Sequence, residues 1–215
     1  MLTDPASRRA APLAPDDRRA AIVEAVLPLV GERGLDVTSK ELAAAAGVAE
    51  GTLFRAFGDK TCLVGTVAVE GLRRAASAAE TREALAAIDR SLPLEERLAQ
   101  VLAIGRRQAA DVTRWAAHLR TLHQRTAHAT PSGEQVREFR EQLARHHEER
   151  RAATAEGLLA VLEPDRHRLR VPPEVAVALV EAIVAGAHQS VEGLAPVPDP
   201  AVLADALVHG IAGGS

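Results

Sequence analysis

The sequence predicts an all-α fold, and three observations carry that prediction. The 215 residues include 44 alanines and 24 arginines, residue types that lose little on entering a helix. Aromatic residues make up 2% of the chain: Phe54, Phe57, Phe139 and Trp115, with no tyrosine. A sandwich or barrel of this length draws on more aromatic and β-branched side chains. Apolar residues recur at helical spacing, and no segment reads as a strand. The balance of 47% hydrophobic and 26% charged residues excludes wholesale disorder. A net charge of −3 leaves no global basic footprint, so any contact with nucleic acid must be local. The single cysteine, Cys62, excludes a disulfide framework and a thiolate metal cluster within one chain. No run of 18 apolar residues and no signal-peptide core is present, so a cytoplasmic protein without a membrane segment is expected.

The elements follow in order. Residues 1–15, with Pro5, Pro12 and Pro15, read as a disordered arm. A first helix is expected from Asp16 and Asp17, whose carboxylates suit a helix N-terminus. Ile22, Val23, Val26, Leu27, Leu29 and Val30 give it one apolar stripe. Pro28 within it predicts a kink, and Gly34 ends it. Thr38 or Ser39 caps a short helix over 40–46, and Glu41 stands at capping-box spacing if Thr38 is the cap. Gly47 closes that helix, and a third short helix spans 49–56. Asp59 caps a fourth, from Lys60 to about Ala79. A weaker segment with turns runs to Arg90. Helices are then expected over 94–110 and 112–125, separated by a break or by a kink alone, then from Glu134 to about Leu162, from Glu174 to Val191 and from Ala201 to Ile211. Pro164, Pro172, Pro173, Pro196, Pro198 and Pro200 punctuate the last of these.

Residues 38–60 carry the most information. Two short helices joined by a glycine-containing turn form a helix-turn-helix signature. Ala43 stands where the helices cross closely, and Gly47 stands where the turn needs positive φ. Leu53 points into the same core as Leu42, Ala46 and Val48. A plain helical hairpin with a glycine cap would share part of this pattern. The neighbouring runs Glu32-Arg33-Gly34, Thr38 to Leu42, Ala43 to Val48 and Gly51 to Lys60 complete a composite that resembles the TetR family of transcriptional regulators over roughly residues 16–69. The resemblance implies an N-terminal three-helix helix-turn-helix DNA-binding domain, placed at 16–62. It also implies a C-terminal helical bundle, 63–215, that dimerises and binds a small effector.

Carried onto this sequence, the resemblance makes Ala49, Glu50, Gly51, Thr52, Phe54 and Arg55 the DNA-reading residues. Lys40 would reach a base or phosphate, and Lys60 would hold a phosphate at the start of the fourth helix. Glu50 is acidic where a neutral or basic residue is common, so it must accept from a cytosine amino group or turn away. Phe54 lacks a tyrosine hydroxyl, and Ala56 replaces a common phosphate contact. Residues 1–62 hold 8 Lys and Arg against 9 Asp and Glu, so affinity must lean on few cations.

In the second part, Leu102, Arg106, Trp115, His118, Leu119, Leu122, Phe139, Leu143 and His146 are expected to line an effector pocket, with a solid core as the alternative. With two aromatics in this part, a small apolar or acidic effector fits better than a caged cation. Val175, Leu179, Val180, Ile183, Val184 and Ala187 surround their helix on more than one face, which predicts burial by core and by a second copy. The eight histidines show neither E-x-x-H nor H-x-x-x-H spacing, so no metal is expected, and no cofactor. The chain has no G-x-S-x-G and no G-x-G-x-x-G, which argues against an all-helical enzyme. The expected function is a homodimeric repressor released from a palindromic DNA operator by a small molecule. The alternative is a helix-turn-helix DNA binder with no ligand.

Overall fold

The computed structural model describes residues 14–125, 133–186 and 198–209, apart from the side chains of 133–136 and 138–143. Among the described residues it contains nine α-helices and no strand: α1 Pro15–Arg33, α2 Ser39–Ala45, α3 Glu50–Phe57, α4 Lys60–Ala75, α5 Ala78–Ala86, α6 Leu94–Arg125, α7 Gly133–Leu162, α8 Pro173–Gly186 and α9 Pro200–His209. The all-α expectation holds. No described helix is long and apolar enough to cross a membrane.

The chain divides into two units. One runs up to Gly71 and takes in His118–Leu122, and the other holds the remainder. In the first unit, α1 starts at Pro15, with Asp16 and Asp17 in its first turn. It continues through Pro28 to Arg33. The predicted stripe is only partly inward: Ile22, Val23, Val26 and Val30 are buried, whereas Leu27 and Leu29 are half-buried. These four pack in a core with Val37, Leu42, Leu53, Phe57, Leu63, Val64 and Val67. Gly34 ends α1 at φ 56°. A Cβ there would stand 2.7 Å from Nδ1 of His118, whose Nε2 lies 3.1 Å from the Gly31 carbonyl. Only glycine meets both the positive φ and that close approach.

In the second unit, three expectations are corrected. The segment read as weak turns contains α5, capped by Ser77, whose hydroxyl accepts from the Glu80 amide at 3.3 Å. The two helices expected over 94–125 are one, α6, of 32 residues. Asp111 lies in mid-helix, where its carboxylate pairs with Arg114 at 2.7 Å instead of capping a new start. The fourth helix ends at Ala75, four residues short of the expected Ala79. The unit's core is Leu85, Ile88, Leu94, Leu98, Val101 and Leu102 against Leu158, Val161, Leu162, Val177 and Val180. A charged residue completes it: Arg97 is 1% exposed and donates to the Val161 carbonyl and to Asp165. Arg168 also donates to Asp165, at 2.6 Å.

Helix α8 separates the residues expected at a dimer interface. Val180 is buried in the core, and Ile183 and Val184 pack against it. Val175 and Leu179 remain 44% and 49% exposed. The helix is apolar all round, and its pattern alone could not say which residues face inward. Ala187 lies outside the described residues, as do the arm up to residue 13 and the loop 126–132.

Candidate nucleic-acid interface

The site is built from α2, the turn after it and α3. Thr38 caps α2 in a reciprocal box: the Glu41 amide donates to its hydroxyl at 3.2 Å, and its own amide donates to the Glu41 carboxylate at 2.8 Å. Arg33, at the end of α1, donates to the other Glu41 oxygen at 2.7 Å and to the Asp36 carbonyl at 3.3 Å. The Thr38 amide first, then Arg33 and the Thr38 hydroxyl, hold the Glu41 carboxyl at about 2. One carboxylate thereby fixes α2 to the end of α1. The role of Arg33 escaped the sequence reading, because its partner is eight residues away and lies on another helix.

The turn follows the predicted geometry. Gly47 has φ 63° and donates to the Ala44 carbonyl at 3.2 Å, and Val48 donates to Ala43 at 3.0 Å. Ala43 is 4% exposed. Beyond the turn, Leu53 and Phe57 point inward, and the Arg19 guanidinium lies 4.9 Å from the Phe57 ring centroid. That cation–aromatic contact ties α3 to the first turns of α1.

With Leu53 and Phe57 inward, the rest of α3 faces solvent. Ala49, Glu50, Gly51, Phe54 and Arg55 are exposed, and Thr52 is half-buried. Phe54 is 41% exposed, an aromatic ring with no core to fill. Lys40 is exposed on α2. The arrangement offers acceptor, donor, hydroxyl and apolar contacts on one short helix. Those are the kinds of group that read base edges in a major groove.

Lys60 behaves otherwise than expected. It is half-buried, and its Nζ donates to the carbonyls of Leu35 at 3.0 Å and Val37 at 3.1 Å. Two of its three donors hold the segment that leads into α2, so its first task is structural. Asp59 caps α4 as predicted, accepting from the Cys62 amide at 2.8 Å.

The residues expected to line an effector pocket are divided between the two units. His118, Leu119 and Leu122 belong to the unit that contains α2 and α3. Leu102 is core, Trp115 is buried, and the Arg106 guanidinium donates to the Pro198 carbonyl at 3.5 Å. His146 is exposed beside Glu149. Phe139 and Leu143 have side chains outside the described residues. A cavity of about 550 Å³ does exist in the second unit, but none of these seven described residues lines it.

Residues 22–67 match the family described as bacterial regulatory proteins, tetR family. The matched span covers α2, α3 and most of α1. The matched family is one of regulatory proteins, and the expectation that the chain is not an enzyme agrees with it. No curated protein matches the chain. Among solved structures it is similar to a TetR-family transcriptional regulator from Streptomyces coelicolor, at 20% identity and a TM-score of 0.46 over 92% of this chain and 79% of that one. It is also similar to a regulator of the TetR/AcrR family from Thermobifida fusca, at 20% identity and a TM-score of 0.47 over 91% and 99%.

Proposed function

We propose that this chain, whose residues 22–67 form a tetR-family helix-turn-helix domain, is a sequence-specific DNA-binding regulator of transcription. In this reading it is a homodimeric repressor that a small molecule releases from its operator. The observation that carries the reading is α3: its inward side chains anchor it in a core, while Glu50, Gly51, Phe54 and Arg55 stand exposed together. Arg55 is suited to guanine or phosphate, Phe54 to a thymine methyl and Glu50 to a cytosine amino group. Eight residues read too few base pairs for a unique site, so a second copy must supply a second half-site. Val175 and Leu179 of α8, with Val202 of α9 at 60% exposure, offer an apolar face for that second copy.

The test is a gel shift of the full chain on duplex DNA taken from beside its own gene. Arg55→Ala and Lys40→Ala are expected to weaken binding and each to lower the salt slope by about one. Thr52→Ala is expected to weaken binding by about 1–3 kcal/mol and to relax preference at one base pair. Unchanged affinity in all three variants would remove the contact assignment. Lys60→Ala is a poorer probe, because it also frees the Leu35 and Val37 carbonyls.

A further inference from the structure

The 550 Å³ cavity of the second unit has the size of small-ligand sites, about 300–1,000 Å³. Leu85 of α5, Val101 and Ile104 of α6, Leu158 of α7 and Val184 of α8 wall it. No Phe, Tyr or Trp stands among its described lining residues, and its walls are mostly aliphatic. Its polar groups differ in how well they are satisfied. Thr81 donates to the Ser77 carbonyl at 2.9 Å and accepts from the Gln108 amide at 3.2 Å, so that pair is engaged. Arg150 is half-buried and less engaged: its Nε has no hydrogen-bond partner among the described residues. Its Nη2 donates to Nδ1 of His147 at 3.4 Å. A guanidinium only donates, so Nδ1 of His147 is the acceptor in this contact. Arg cannot shed its charge, so this guanidinium stays cationic at the cavity wall. Arg151 also lines the cavity, and Glu181 is the one carboxylate among its described lining residues. Two guanidiniums against one carboxylate leave the site cationic.

We infer that this cavity binds an aliphatic carboxylate, its chain against the apolar walls and its head group accepting from Arg150. The inference rests on the reading of the second unit as an effector domain and gives that effector a chemical class. Charge-assisted bonds from a guanidinium suit a carboxylate head group held against otherwise apolar walls.

Isothermal titration of the full chain, without DNA, tests it with hexanoate, octanoate and decanoate, and with 1-octanol and octylammonium as neutral and cationic counterparts. At least one carboxylate should bind, and more tightly than either counterpart. Arg150→Met should weaken that carboxylate roughly tenfold or more while leaving octanol unchanged, and Glu181→Gln should not weaken it. If Arg150→Met fails to fold, Ala109→Phe, which fills the cavity, should abolish uptake. Binding of none of the three carboxylates, preference for octylammonium, or carboxylate affinity unchanged by Arg150→Met or by Ala109→Phe would each overturn the inference. A carboxylate that binds through Arg150 yet leaves DNA affinity unchanged upholds the inference and removes release by effector. A chain that shifts DNA but binds no carboxylate removes the inference alone.

Discussion

Thr38, Glu41 and Arg33 show how much a few side chains decide. The capping box was legible because Thr38 and Glu41 sit three residues apart; Arg33 was not, because it arrives from another helix. Thr38→Ala should cost about 1 kcal/mol, the ordinary loss for an N-cap, read by chemical denaturation. Glu41 gives a pH signature. Its carboxyl is held at about 2, below the ordinary 4.5, chiefly by the Thr38 amide. A lowered carboxylate stabilises the fold above its unfolded value and loses that effect as pH falls through the folded one. The stability difference between wild type and Glu41→Gln should therefore narrow from about pH 4.5 down to about 2, followed in thermal melts. A difference that stays constant over that range would contradict the Thr38–Arg33 account.

At the scale of elements, the turns can be separated by what surrounds them. Gly47 has positive φ and open space around it, whereas Gly34 has positive φ and the His118 ring against it. Gly47→Ala should cost about 1–2 kcal/mol, the left-handed penalty alone, and Gly34→Ala more. In a His118→Ala background the excess at Gly34 should vanish, because the clash is then gone; a double-mutant cycle measures it. In the second unit, Asp165→Asn strands the buried Arg97 charge and should cost about 3–5 kcal/mol, read from urea midpoints. Both glycines were legible, since a glycine after an apolar stripe is a local cue. Arg97 was not, because arginine reads as a surface residue until its partners, 64 and 68 residues away, are known. Helix α5 was missed because it is nine residues long and its polar side chains blur the apolar spacing. The continuity of α6 across residue 111 was left open because Asp111 is a poor helix former in mid-helix.

For the whole molecule, the helix-turn-helix was legible and the cavity of the second unit was not. Residues 38–60 announce themselves by short-range spacing, whereas the cavity draws its walls from α5, α6, α7 and α8, far apart in sequence. The same reason hid Arg150 and suggested His118, whose ring meets Gly34 instead. The outward face of α8 gives a prediction at this scale. Val175→Glu with Leu179→Glu should convert a dimer to a monomer at micromolar concentration in sedimentation velocity, with the helix content retained. The inward Val180→Glu should instead unfold the second unit, since Val180 is 3% exposed. Whether two copies of α3 read DNA together is decided by selection from a randomised duplex library. A paired α3 enriches an inverted repeat whose half-site centres lie about 34–36 Å apart or a multiple of that, with the enrichment lost in Arg55→Ala; recovery of no preferred sequence, or of a single unrepeated half-site, would rule out paired reading.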